Sequence, residues 1–158
     1  MENVSMNEKA LILERSIQND LQAISDIFAR LDKAILSDDE ESLIVIAYRL
    51  HSLYMAFENI FQQIAITFEN SLDDKSGWHS QLLQRMKLDL TPIRPAVIDD
   101  TTYPALDELR RFRHLFRTNY NVEFDRERLQ LVLNKAQHLC LFYEEQIGQF
   151  LNFLKTLQ

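Results

Sequence analysis

One short stretch of this chain concentrates its chemistry. Between Arg110 and Arg117 the sequence RRFRHLFR holds four arginines and a histidine and no acid. The whole protein, by contrast, carries 24 Asp plus Glu against 17 Lys plus Arg, a formal net charge of −7. At roughly 100° per residue, Arg110, Arg113, His114 and Arg117 fall within an arc of roughly 100° beside the apolar positions Leu106, Leu109 and Phe116. Tyr120 sits at the edge of that apolar stripe, close to Arg113. Guanidinium groups bind phosphate bidentately, and an imidazole can carry a proton near neutral pH. Together they suffice, without metal, for attack of an RNA 2′-hydroxyl on the adjacent phosphate, with arginine stabilising the charge that develops. DNA lacks that nucleophile. Like charges three and four apart cost about 0.2–0.5 kcal/mol per pair in an isolated helix. The strip therefore needs either acidic partners from elsewhere in the chain, in ordinary salt bridges, or an anion as its ligand. The residues alone leave both origins open.

Other chemistries find less support. A dedicated metal site in a helical bundle typically uses Glu-x-x-His. Here the residues three before His51, His79, His114 and His138 are Tyr48, Ser76, Arg111 and Lys135, so no metal or other cofactor is expected. The acidic groups Asp38–Glu41, Asp73/Asp74 and Asp99/Asp100 fall at helix starts or in loops, where carboxylates meet free N–H groups or water. The single cysteine, Cys140, lies beside Leu139 and Phe142 in an apolar stripe and is expected to be structural. Trp78–His79 is expected to be an aromatic packing anchor beside a partly exposed histidine.

The elements that position the strip follow from periodicity. Leu13, Ile17, Leu21, Ile24, Phe28, Leu31 and Ile35 recur every three or four residues behind a Ser5/Glu8 capping box, which predicts a first long helix. A second box at Ser37/Glu40 precedes the stripe Leu43, Ala47, Leu50, Tyr54, Phe57, Phe61, Ile64 and Phe68. A short third helix is predicted over Trp78–Leu88, followed by an irregular connection over Asp89–Thr102. Pro104 suits the first turn of a fourth helix, and Asp125 the cap of a fifth, which carries Leu129, Val132, Ala136, Leu139, Tyr143, Ile147, Phe150, Leu154 and Leu157. The expected fold is all-α, an up-and-down bundle of about five helices forming a single domain over residues 1–158. With only 2 Gly and 3 Pro, sandwiches, dinucleotide folds and phosphate-cradling glycine loops are excluded. The longest apolar run, Ile44–Tyr48, is far short of the roughly 20 residues that span a bilayer. Met1–Ala10 lacks the apolar core of a signal peptide, so a cytoplasmic, membrane-free protein is expected. Helices of this length also suit a dimer.

The segments YRLHSLYMAFENIFQQIA (Tyr48–Ala65), GWHSQLLQRM (Gly77–Met86), RPAVID (Arg94–Asp99) and ALDELRRFRHLFRTNY (Ala105–Tyr120), in that order, resemble the HEPN superfamily, and within it the HepT-like proteins. The resemblance implies an all-helical homodimer. It further implies the toxin of a type VII HEPN/MNT toxin–antitoxin system, a metal-independent RNA endonuclease acting on tRNA or mRNA. Its implied partner is an MNT-type nucleotidyltransferase antitoxin that silences it by AMPylation of a motif tyrosine. The family motif is of the R-x4-H-x-Y type. Laid on this chain it makes Arg113 the motif arginine and Tyr120 the motif tyrosine, while Thr118 occupies the histidine position. Threonine cannot shuttle a proton near pH 7. The candidate catalytic residues are therefore Arg113 as phosphate clamp, His114 as proton carrier and Arg117 as second clamp, with Arg110 joining them in RNA binding. The alternative is a catalytically inactive HEPN protein that binds RNA, nucleotide or a partner.

Overall fold

The computed structural model describes residues 4–69, 77–118 and 125–158. It contains helices α1 (Met6–Asp32), α2 (Glu40–Glu69), α3 (Trp78–Met86), α4 (Tyr103–Thr118) and α5 (Arg126–Thr156), and no strand among the described residues. Ser5 caps α1 by accepting from the Glu8 N–H at 3.4 Å, and Asp125 caps α5 by accepting from the Glu127 N–H at 3.0 Å.

Cross-helix contacts give the directions. On α1 and α2, Asp20 accepts from Asn59 and Gln63 at 2.9 Å, and the Arg30 carbonyl accepts from Arg49, so low numbers meet high ones. Phe28 stacks on Tyr143 and Glu14 accepts from Gln158, which makes α1 and α5 antiparallel as well. Four long helices thus form an up-and-down bundle in which α2 packs against each of the other four, and α3 fills the side between α2 and α4. The predicted stripes form one core. Ile17, Ile24, Leu50, Phe57, Phe61, Ile64, Leu109, Phe112, Val132, Leu139, Ile147 and Phe150 are all buried.

Four expectations are corrected. The first helix stops at Asp32, leaving Ile35 82% exposed. The second capping box does not form: Ser37 accepts instead from the Asp39 N–H two residues on, and α2 starts at Glu40. α3 ends at Met86, with Leu88 exposed. Cys140 is exposed rather than structural, because Leu139 and Tyr143 take the buried positions of that turn.

The connection Asp89–Thr102 is irregular yet ordered. Arg94 is wholly buried. Its guanidinium donates to the carbonyls of Leu88 (3.1 Å), Pro95 (3.0 Å) and Arg85 (3.1 Å) and to Glu69 Oε1 (3.0 Å). Val97 donates its N–H to the Met86 carbonyl at 2.8 Å. Gln146 of α5 accepts from the Thr102 hydroxyl and donates to Asp99, both at 2.6 Å. These bonds fix where α4 begins, and so which of its faces meets α2.

Candidate functional site

Along the seam between α2 and α4 polar side chains replace the apolar ones that fill the rest of the core. His51, Tyr54 and Glu58 are spaced three and four apart, which lines them up on one face of α2; Arg117, Arg113 and Arg110 do the same on α4. The antiparallel pairing brings His51 under the charges of Arg113 and Arg117, and Tyr54 under those of Arg110 and Arg113.

One half of the seam is closed by pairing. Tyr54 is 1% exposed, and its hydroxyl donates to Glu58. Burial first, and the Glu58 carboxylate second, hold the phenol protonated well above its ordinary range. Glu58, itself buried, also accepts from His79 Nδ1 at 2.7 Å, and the His79 ring lies against Trp78 with centroids 3.7 Å apart. Asp107 serves two arginines of the strip, Arg110 at 2.9 Å and Arg111 at 3.0 Å. For these two the salt-bridge origin of the strip holds.

The other half is not closed. Arg113 is half-buried and its Nε, out of reach of water, has no hydrogen-bond partner. Among the described residues no carboxylate pairs with Arg113 or Arg117. Opposite them, His51 is half-buried, its Nδ1 is likewise without a partner, and its ring lies on Phe116 with centroids 4.9 Å apart at 31°. Burial, then the charges of Arg113 and Arg117, lower the His51 pKa, so the ring is neutral at pH 7. Two guanidinium groups without carboxylates beside a neutral imidazole form a cationic patch suited to a phosphate.

Of the residues singled out in the sequence, the structure brings Arg113 and Arg117 together and diverts Arg110 to Asp107. His114 is exposed, and among the described residues no partner fixes its ring. Thr118 is exposed too. Its hydroxyl donates to the carbonyls of His114 at 3.0 Å and Leu115 at 3.4 Å, and so is engaged with its own helix. Tyr120 lies outside the described residues. Sequence reasoning missed His51, Glu58 and the polar role of Tyr54. The available signal was their spacing, which puts a histidine and an acid in line with a residue of the apolar stripe.

Residues 45–154, the span from early α2 to the last turn of α5, match the HepT-like protein family. That span carries every described residue of the seam. The chain belongs to the HepT-like family, within the HEPN superfamily. No curated protein and no solved structure matches the chain significantly. In this HepT-like protein the whole of α1 lies outside the matched span and serves to wall the core against α2 and α5. Among the described residues, no three His, Cys, Asp or Glu side chains gather as metal ligands would, and no helix is long and apolar enough to cross a membrane.

Proposed function

We propose that this HepT-like protein is a metal-independent endoribonuclease, the toxin of a toxin–antitoxin pair whose antitoxin is an MNT-type nucleotidyltransferase. One observation carries the reading: among the described residues Arg113 and Arg117 have no carboxylate partner such as Arg110 and Arg111 have, and both face an imidazole. Holding a guanidinium half-buried and unpaired costs stability and has no structural return. It is the arrangement of a site waiting for an anion. Arg113 and Arg117 clamp the phosphodiester, and the exposed His114 accepts the 2′-hydroxyl proton as the 2′-oxygen attacks phosphorus. Cleavage leaves a cyclic phosphate and a free 5′-hydroxyl. The protein works in the cytoplasm as a homodimer. The nucleotidyltransferase silences it by placing AMP on Tyr120.

The test is cleavage of RNA by purified, unmodified protein in the presence of chelator, abolished in Arg113→Ala with the helical circular dichroism unchanged. Intact-mass increments of AMP after co-expression with the antitoxin, lost in Tyr120→Phe, check the silencing. The engagement of Thr118 with its own helix favours a second reading, a binding protein without catalysis. RNA bound tightly by wild type and recovered uncut selects that one.

A further inference from the structure

We propose that His51 of α2 is the third group of the anion site on α4, so that an RNA phosphodiester held by Arg113 and Arg117 is bound together with a proton on His51. This rests on the reading of the seam as an RNA-phosphate site and adds a residue from a different helix. Three observations carry it. The antiparallel pairing of α2 and α4 sets His51 against Arg113 and Arg117, which no carboxylate among the described residues pairs, and Phe116, one residue before Arg117, lies on its ring. His51 Nδ1 is buried without a hydrogen-bond partner, as is Arg113 Nε, so the seam holds unused hydrogen-bonding capacity on both of its walls. The motif-histidine position, Thr118, has its hydroxyl engaged with the α4 backbone.

The electrostatics give the sign. Among the described residues the charged groups acting on His51 are Arg113 and Arg117 of α4, and none from α1, α3 or α5 acts on it. On its own helix Tyr54 and Glu58 are tied to each other and to His79, and Arg49 donates to the Arg30 carbonyl of α1. With the seam empty, two positive charges oppose a third on the imidazole. A phosphodiester brings a negative charge and acceptor oxygens into the same space, and the imidazole then gains a proton from solvent. In cleavage that proton passes from His51 to the 5′-oxygen as the bond from the 2′-oxygen to phosphorus forms and the bond from phosphorus to the 5′-oxygen breaks. The 2′-hydroxyl proton goes to His114, so charge is conserved across the step.

The experiment is an NMR titration of the histidine rings in the full chain, with and without a 2′-O-methyl oligoribonucleotide, which binds as RNA does and cannot be cut. His51 is assigned in the wild type by through-bond correlation of its ring to its own backbone. Saturation with the oligonucleotide is expected to raise the His51 midpoint by about one pH unit, which by linkage is about tenfold tighter binding at the acid end than at the alkaline end. His51→Gln is expected to lose that tenfold dependence. A His51 midpoint unmoved at saturation, or a pH dependence that survives in His51→Gln, overturns the proposal, and the wild-type titration decides by itself should the variant not fold. Cleavage of unmodified RNA, followed in parallel, separates the two readings. Cutting with an unmoved His51 defeats this inference alone, proton uptake without cutting defeats the ribonuclease reading alone, and absence of binding defeats both.

Discussion

Arg94, in the connection between α3 and α4, and Arg113, on α4, both carry a buried Nε without a partner, and their other surroundings could hardly differ more. Around Arg94 the chain supplies three carbonyls and Glu69, the same carboxylate oxygen that also holds Arg85 at 3.1 Å. Around Arg113 it supplies a neutral histidine and a second arginine. A guanidinium surrounded by acceptors is a fastener: its charge meets a carboxylate, and both of its terminal nitrogens donate two hydrogen bonds each. A guanidinium left beside a like charge is held there at a cost by the packing around it, and that cost falls when an anion arrives. On the proposed function, the difference separates the arginine that orders the fold from the one that acts.

Removing each in turn sharpens the contrast. Arg94→Ala leaves Glu69 and three carbonyls without their donor and is expected to destabilise the protein by about 3–5 kcal/mol in denaturant unfolding. Arg113→Ala is expected to leave that midpoint unchanged or slightly raised while lowering RNA cleavage about 100-fold or more, the usual effect of removing a group that stabilises developing charge. If Arg113→Ala unfolds the protein as readily as Arg94→Ala does, the distinction between fastener and site collapses.

The closed half of the seam gives a smaller effect. Glu58→Gln removes the carboxylate that accepts from Tyr54 and His79, and about 1–3 kcal/mol of stability is expected to go with it. The pH dependence probes the open half. Because the folded-state pKa of His51 is depressed, the unfolded chain takes the proton first, so stability falls as pH drops below about 6.5 and stops falling below the folded pKa. His51→Gln is expected to flatten that window. It leaves intact the loss at lower pH from Asp99, whose carboxyl is held below its ordinary range chiefly by the Thr101 N–H. Smallest of all is Arg111→Ala, which breaks one exposed pair with Asp107 and is expected to change stability by less than about 1 kcal/mol.

Much of the architecture was legible in the residues because helical periodicity is a local property. The stripes from Leu13 to Leu31, from Leu43 to Ile64 and from Leu129 to Leu154 could bury themselves only on one another, and the caps at Ser5 and Asp125 are short-range hydrogen bonds. The arginine strip was legible for the same reason, since charge density along one helix face follows from spacing alone. Its division was not: whether Asp107 takes Arg110 and Arg111 depends on side chains in a common turn, but whether Arg113 and Arg117 find any carboxylate depends on every helix that packs against α4. Cys140 shows the same limit, because a wheel position beside a buried stripe does not say where the neighbouring helix ends.

By itself, then, the sequence determined five helices, their apolar faces and a cationic face on the fourth, all of them set by residues within a few positions of one another. Only the tertiary structure decided that His51, more than 60 residues before Arg113, stands opposite the strip, that Glu58 rather than water receives His79, and that Arg94 is interior. Contacts of that kind depend on the crossing of helices far apart in the chain, and the periodicity of each helix is the same whichever partner it meets.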